Sequence, residues 1–398
     1  MVYSHDTYGL GNLRRMLSIC RSLIDAFPDL TVLLLSGSPM IQSFRLPARL
    51  DYVKLPCLTR AERESYVVRS LDLKIDEAVR LRSALILAAA SHFKPDLFLV
   101  DKKPCGIKNE LKETLEYLKE AQPQSKRILV LRDILDLPEE TIRVWERNRY
   151  HELIREFYDQ VLVLGMPEIF DPRREYRFPE ATSERVRFCG YLRRTNDGAS
   201  PAEVRRELGL AEGEALALVT VGGGQDGYQL LAAYLESLSL LPADRKVRSL
   251  VVCGPEMGEG ERQALNEMAA NRPAVLLKEV TGDLFSIMSA ADVVVSMAGY
   301  NTVCEILSAQ KKAIVVPRVR PVQEQWLRAE RMAERGLFRM IHPDQLTPAL
   351  LSEALREALE EPFEPAAGAV ELNAQSRIAE LVASLLETEA RAPAMFRG

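Results

Sequence analysis

Residues Val293 to Trp326 read VVVSMAGYNTVCEILSAQKKAIVVPRVRPVQEQW, and this stretch decides how the rest of the chain is read. Val293-Val294-Val295 is a β-branched run of the kind found in a parallel strand covered on both faces. Ser296-Met297-Ala298-Gly299 makes a tight turn of small residues in which backbone N–H groups can face a ligand. Asn301 and Thr302 are placed to cap the helix that follows. The positive end of that helix then lies beside the turn and favours an anionic phosphate. Glu305 sits one turn inside, where its carboxylate can take both hydroxyls of a ribose. Ala313 to Pro317 is the next strand, and Glu324-Gln325 follows its exit loop, an acid and an amide suited to the hydroxyls of a sugar. An ordinary βαβ unit with an exposed Glu is the plainer reading of the same residues.

A second Gly-rich loop lies upstream. Ala215 to Val221 (ALALVTV) is a buried strand that runs into Gly222-Gly223-Gly224-Gln225-Asp226-Gly227. The loop satisfies G-x-G-x-x-G between a strand and a helix, so a dinucleotide site must be weighed. Such a site needs an acidic residue at the tip of the next strand, for the ribose. Here that strand ends Val252-Cys253-Gly254-Pro255, with Glu256 only beyond the proline, which disfavours NAD.

The chain has 398 residues, 47% hydrophobic and 27% charged, as in a soluble protein of two domains with substantial cores. A net charge of −5 gives a nucleic-acid partner no support. No run reaches the ~18 apolar residues of a membrane-spanning helix, and the opening Met1-Val2-Tyr3-Ser4-His5-Asp6 has neither the basic start nor the apolar core of a signal peptide. The six cysteines are scattered without a C-x-x-C, which points away from zinc and disulfides and toward a reduced, cytoplasmic setting.

Strands and helices alternate throughout, as in parallel sheets with crossover helices. In the first half, strands are expected near 30–36, 51–55, 96–101, 127–132 and 160–164, with Phe188 to Leu192 as the last. Helices are expected near 11–26, 70–92, 106–121 and 139–157. Only Val2-Tyr3-Ser4 precedes the first loop, short for a central strand, so either that strand is stunted or the start lies upstream. Arg193 to Ser200 is polar and turn-rich, with Pro201 placed to open a helix, and forms the linker. Strands near 249–253, 274–278, 292–295 and 313–316 follow, with a last helix near 372–390. The expected domains are therefore 1–193, joined by the helix 372–398, and 194–371.

Gly9-Leu10-Gly11-Asn12 follows the first strand, where glycines let backbone approach a ligand closely. His5 at the strand tip is a candidate general base, since imidazole titrates at about 6.5, and Asp6 beside it can orient the ring. Asp101, at the tip of DLFLVD, is a second candidate base or acceptor contact. Capping and solvent exposure are the plain alternatives for both. No D-x-D occurs, so a metal clamp on a diphosphate has no evident ligands, and no metal or other cofactor is expected.

These motifs resemble the donor half of GT-B glycosyltransferases, nearest the MurG-type transferases of glycosyltransferase family 28. The resemblance is motif-specific from about Gly222 to Trp326 and loose in the N-terminal half. It implies an α/β GT-B architecture, two Rossmann-like parallel-sheet domains facing each other across a cleft. It also implies that Gly222, Gly223, Gly224, Gln225, Ala298, Gly299, Asn301 and Thr302 bind the diphosphate of a nucleotide sugar, and that Glu305 binds the ribose. Glu324 and Gln325 would then hold the sugar, and Val280 and Thr281 would lie against the uracil. A plain strand end capped by Thr281 or Asp283 reads that last segment equally well. The loop on the acceptor side, Asp6, Gly9, Gly11 and Asn12, departs from the pattern, because family members place a His where Asn12 stands and an amide is no base near neutral pH.

The implied activity is metal-independent, inverting transfer from a UDP-sugar, with UDP-N-acetylglucosamine one candidate, to a hydroxyl of a small-molecule, glycan or lipid acceptor. A lipid acceptor would add peripheral contact with the inner membrane face. The alternatives are a nucleotide-sugar-binding protein without turnover, which Asn12 favours, and a UDP-sugar epimerase or hydrolase.

Overall fold

A computed structural model describes residues 1–5, 11–62, 65–242, 244–362 and 368–390. The chain divides into two compact units, Met1–Leu192 with Asn373–Gly398, and Arg193–Leu372.

The first unit is built on a seven-stranded sheet of β1 (Val2–Ser4), β2 (Val32–Ser36), β3 (Leu50–Lys54), β6 (Leu97–Asp101), β7 (Lys126–Arg132), β8 (Gln160–Leu164) and β9 (Val186–Phe188), in the order β3-β2-β1-β6-β7-β8-β9. A separate antiparallel hairpin joins β4 (Leu58–Glu62) and β5 (Ser65–Val68). Every pairing in the large sheet is parallel. Three-residue β1 is central, between β2 and β6, and fully buried. The first helix, Gly11–Ala26, buries Leu13, Met16, Leu17, Cys20, Leu23 and Ile24, a 3.6-residue stripe facing the core. The helix Ala374–Ala390 packs on it through buried Ala374, Ile378 and Val382, and Gln375 Nε2 donates to Ser18 Oγ at 3.4 Å.

The second unit restarts the pattern with β10 (Ala215–Thr220), β11 (Val247–Val252), β12 (Val275–Lys278), β13 (Val293–Ser296), β14 (Lys312–Val315) and β15 (Arg339–Met340), all parallel, in the order β12-β11-β10-β13-β14-β15. The valine run of β13 lies at the centre and is entirely buried, which is why it reads as a continuous apolar run rather than an alternating one.

Three expectations shift. The helix expected over 139–157 is two helices, Pro138–Arg147 and Tyr150–Phe157, separated where Arg149 adopts a left-handed φ of 54°. The break brings Trp145, Tyr150 and His151 into one aromatic cluster with Phe178, the Trp145 and Phe178 rings stacking at 4.8 Å. The strand expected at Phe188–Leu192 is Val186–Phe188, and the chain turns at Gly190, where φ is +75°. Tyr191 then donates from its hydroxyl to buried Asp133 Oδ2 at 3.1 Å. The helix expected over 106–121 begins properly at Lys112, after a short 3₁₀ turn at Ile107–Asn109.

That turn serves a buried ion pair with no signature in the sequence. Glu110 receives Arg82 Nε at 2.5 Å and Nη2 at 2.7 Å, and the Tyr3 hydroxyl at 2.5 Å; all three side chains are fully or almost fully buried. Burial and the Glu110 charge push the Tyr3 phenol well above its ordinary pKa, so it stays a donor. The triad ties β1, the helix Ile75–Phe93 and the turn after β6 together. Removing one partner strands a buried charge, so Glu110→Gln and Arg82→Met should each cost about 3–5 kcal/mol. The double variant Arg82→Met/Glu110→Leu should lose less than either single change, and chemical denaturation checks it. Single variants as stable as the parent would show that the pair holds nothing together.

Candidate functional site

An open parallel sheet offers a ligand site where the strand order reverses, because the loops from the two flanking strands diverge to opposite faces. In the second unit the chain runs from β10 outward to β12, then restarts at β13 on the other side of β10. Thr220 and Ser296 are register partners at the tips of β10 and β13, so the Gly222–Gly227 loop and the Met297–Gly299 turn leave the sheet side by side.

The glycines of the first loop divide into two groups. Gly224, at φ +99°, lies so close to the Cys253 carbonyl that a Cβ would collide with it, and Gly254, at φ +84°, would collide with the Gly223 backbone. Glu256 N donates to Gly223 O at 2.7 Å across the same contact. These glycines therefore let the loops after β10 and β11 lie backbone to backbone, which any G-x-G-x-x-G pattern would also record. At Gly222 and Gly299, by contrast, an added Cβ would meet nothing within 4 Å. These two border open space at the reversal point.

The helix after the turn is Tyr300–Ala309 and begins ahead of the expected caps Asn301 and Thr302. Its N-cap is Gly299, no side chain caps it, and Asn301 and Thr302 lie within its first turn. The expectation that Asn301 and Thr302 cap the helix is thus corrected. Tyr300 is drawn into the helix because its buried ring packs beneath the guanidinium of Arg328, 5.6 Å from the ring centroid. Arg328 is itself completely buried and donates from Nη1 to Ala298 O at 2.9 Å. One side chain thereby fixes both the turn and the helix start, although the sequence reading did not single it out. Glu305 follows on the same helix, 9% exposed, and Ser296 Oγ is buried at the strand tip with no hydrogen-bond partner among the described residues.

Glu324 and Gln325 open the helix Glu324–Ala333 after β14, the strand beside β13. Gln325 Oε1 accepts from Arg318 N at 3.2 Å. The Arg318 guanidinium lies 3.1 Å from Asp226 Oδ2 and 3.8 Å from Glu324 Oε1, linking the Gly-rich loop to the acid/amide pair. Arg318 too was not singled out, because an arginine in a Pro-rich loop carries no periodic signal. Val280 and Thr281 follow β12, two strands from β10, and Val280 is 58% exposed. The helix beyond them is capped by Asp283, whose Oδ1 accepts from Ser286 N at 3.1 Å, and not by Thr281.

In the first unit the order reverses between β1 and β6, and the tips of those strands carry His5 and Asp101. Both are buried. Asp101 Oδ1 pairs with buried Arg15 at 2.7 Å and Oδ2 accepts from His5 N at 3.3 Å. Asp101 thereby ties the tip of β6 to the first helix and to the backbone at His5. Asn12 Nδ2 donates to His5 O at 2.5 Å while its Oδ1 accepts from Arg15 at 3.0 Å. Gly11 is the first residue of the helix. Asp6 and Gly9 lie outside the described residues, so His5 is held here through its backbone by Asp101 and Asn12. Among the described residues no group of three or more His, Cys, Asp or Glu side chains is arranged to hold a metal ion, and no helix is long and apolar enough to cross a membrane.

Residues 217–382 match the family model described as the glycosyltransferase family 28 C-terminal domain. An uncharacterized glycosyltransferase of Methanopyrus kandleri is 25% identical over 209 residues, 52% of this chain and 56% of that one. The UDP-N-acetylglucosamine--N-acetylmuramyl-(pentapeptide) pyrophosphoryl-undecaprenol N-acetylglucosamine transferase of Photobacterium profundum is 31% identical over 173 residues, 42% of this chain and 48% of that one. The match thus spans about half the length of these curated relatives. Over the whole molecule, the crystal structure of Acinetobacter baumannii MurG aligns with a TM-score of 0.62 at 14% identity, covering 96% of this chain and 98% of that one. Two Rossmann-like parallel-sheet units in this order give the chain the GT-B fold, and residues 217–382 of the second unit match the glycosyltransferase family 28 C-terminal domain.

Proposed function

We propose that the chain transfers a sugar from a UDP-sugar to an acceptor hydroxyl, without a metal and with inversion. The observation that carries this reading is the convergence at one reversal point of two glycines bordering open space, an uncapped helix start and the buried carboxylate of Glu305. In this reading the diphosphate lies on the N–H groups of Gly222–Gln225 and Ala298–Thr302, where a helix N-terminus stabilises anionic charge. Glu305 takes the ribose hydroxyls, and Glu324 and Gln325 take those of the sugar. Val280 and Thr281 lie nearest the base.

The acceptor oxygen attacks the anomeric carbon, the bond to the diphosphate breaks, and UDP departs with the electron pair. Fixed N–H dipoles then stabilise the growing negative charge without reorganising. The hydroxyl proton goes to His5, with Asp101 and Asn12 as positioning residues for its backbone. UDP-N-acetylglucosamine is the donor named in the Photobacterium relative and the first to test here. The acceptor is a small-molecule, glycan or lipid hydroxyl, and the setting we propose is cytoplasmic, peripheral to the membrane where the acceptor is a lipid.

A second reading, nucleotide-sugar binding without turnover, is favoured by Asn12, whose amide is occupied by His5 O and Arg15.

Calorimetric titration with UDP-N-acetylglucosamine should give a dissociation constant below millimolar. Glu305→Gln should weaken it by about 1.5–3 kcal/mol, the worth of hydrogen bonds to a charged group. Binding of NAD in place of any UDP-sugar would overturn the proposal. UDP release in the presence of candidate acceptors should fall about 10²–10⁴-fold in His5→Ala, the usual contribution of a general base. Undiminished release would remove His5 from that role, and tight UDP-sugar binding with no release by the parent chain would establish the second reading.

A further inference from the structure

At the opposite edge of the second unit's sheet, where β10, β11, β13 and β14 begin, lies a cavity of about 480 Å³. Five cationic side chains line it, Arg205, Arg245, Lys246, Lys311 and Lys312, against two carboxylates, Glu214 and Asp292. Helices end at this edge, and cations are expected there to satisfy terminal carbonyls. That need accounts for part of the set. Lys312 donates to the carbonyls of Ala358 and Glu361, and Arg205 to those of Ala290 and Glu214.

The two carboxylates are also committed. Asp292 Oδ2 accepts from Arg205 at 3.0 Å and from Leu216 N at 2.7 Å, and Glu214 accepts from Ala211 N at 3.0 Å and faces Arg248 Nε at 3.3 Å. Arg245 reaches Glu360 at 2.8 Å. Lys246 and Lys311 are left over, since neither side chain makes a hydrogen bond or ion pair among the described residues. Burial lowers the Lys311 pKa by more than the nearby Asp292 raises it, and Arg205 lowers it a little further. A half-buried ammonium among other cations is costly unless an anion joins it.

We propose that this cavity is a second ligand site, taking a small phosphorylated molecule whose phosphate groups are held by Lys246 and Lys311, with Arg245 at its margin. The volume lies within the ~300–1,000 Å³ of ordinary small-molecule sites. The cavity stands at the amino ends of the strands, so it is separate from the donor site at their carboxyl ends and does not rest on the proposed transfer.

Inorganic pyrophosphate is the probe, titrated calorimetrically into the full chain. The parent chain should bind it, and Lys246→Met/Lys311→Met should bind at least tenfold more weakly. Lys246→Arg/Lys311→Arg, which keeps the charge, and Glu305→Gln, which alters only the donor site, should both retain it. No binding by the parent chain, or equal binding by the methionine variant, overturns the site. If that variant does not fold, the exposed Lys246→Glu decides, with tenfold weakening expected and unchanged affinity overturning the site. Loss of UDP binding alongside retained pyrophosphate binding would instead sink the donor reading alone.

Discussion

Parallel pairing is the constraint on which the rest of this protein depends. A parallel strand must return to the same edge of the sheet before the next can begin, so within the two large sheets every connection is a crossover and every strand leaves at the same end. In each unit the order reverses once, between β1 and β6 and between β10 and β13. Backbone leaving two neighbouring strand tips on diverging paths creates the crevice without any side chain specifying it. The residues with chemical potential then need only stand at those tips, as His5, Asp101, Gly222 and Gly299 do.

Three buried guanidiniums fix what the crossovers leave loose. Arg82 joins a helix, a turn and β1 through Glu110 and Tyr3; Arg15 joins the first helix to the tip of β6 through Asp101; Arg328 joins one helix to the turn and start of another through Ala298 and Tyr300. Arginine suits these junctions because its planar fork satisfies several acceptors at once and is less strongly hydrated than an ammonium. Each lies where two elements meet and not within one element. Such pairs add little net stability against a well-packed apolar core, but a misplaced junction would leave a charge unpaired. They favour one arrangement of the loops, which a preformed ligand site needs.

The sequence made most of the framework legible. The valine run at Val293–Val295, the apolar run at 215–221 and the helical stripe at Gly11–Ala26 fall where periodicity places them. Hydrophobic pattern is a local property, so local reading recovers it. It failed at Arg149, where a left-handed residue divides a helix to serve an aromatic cluster from distant Phe178, and at Phe188–Leu192, where strand geometry gives way to a turn held by Asp133. The hairpin of β4 and β5 was missed for the same reason, since Leu58 and Tyr66 are buried by Ala78 and Ile107 from elsewhere in the chain.

By itself the sequence determined most of the element order, the two-unit plan and the Gly-rich turns and acids that point to a nucleotide-sugar site. Tertiary structure alone decided which glycines border open space and which merely let loops pack, since that depends on backbone some thirty residues away. It alone paired Asp101 with Arg15, and brought Arg318 and Arg328 against the loops that carry Asp226 and Ala298. A residue's type and spacing report its own segment, whereas the availability of a carboxylate or an N–H depends on which distant partner has already taken it.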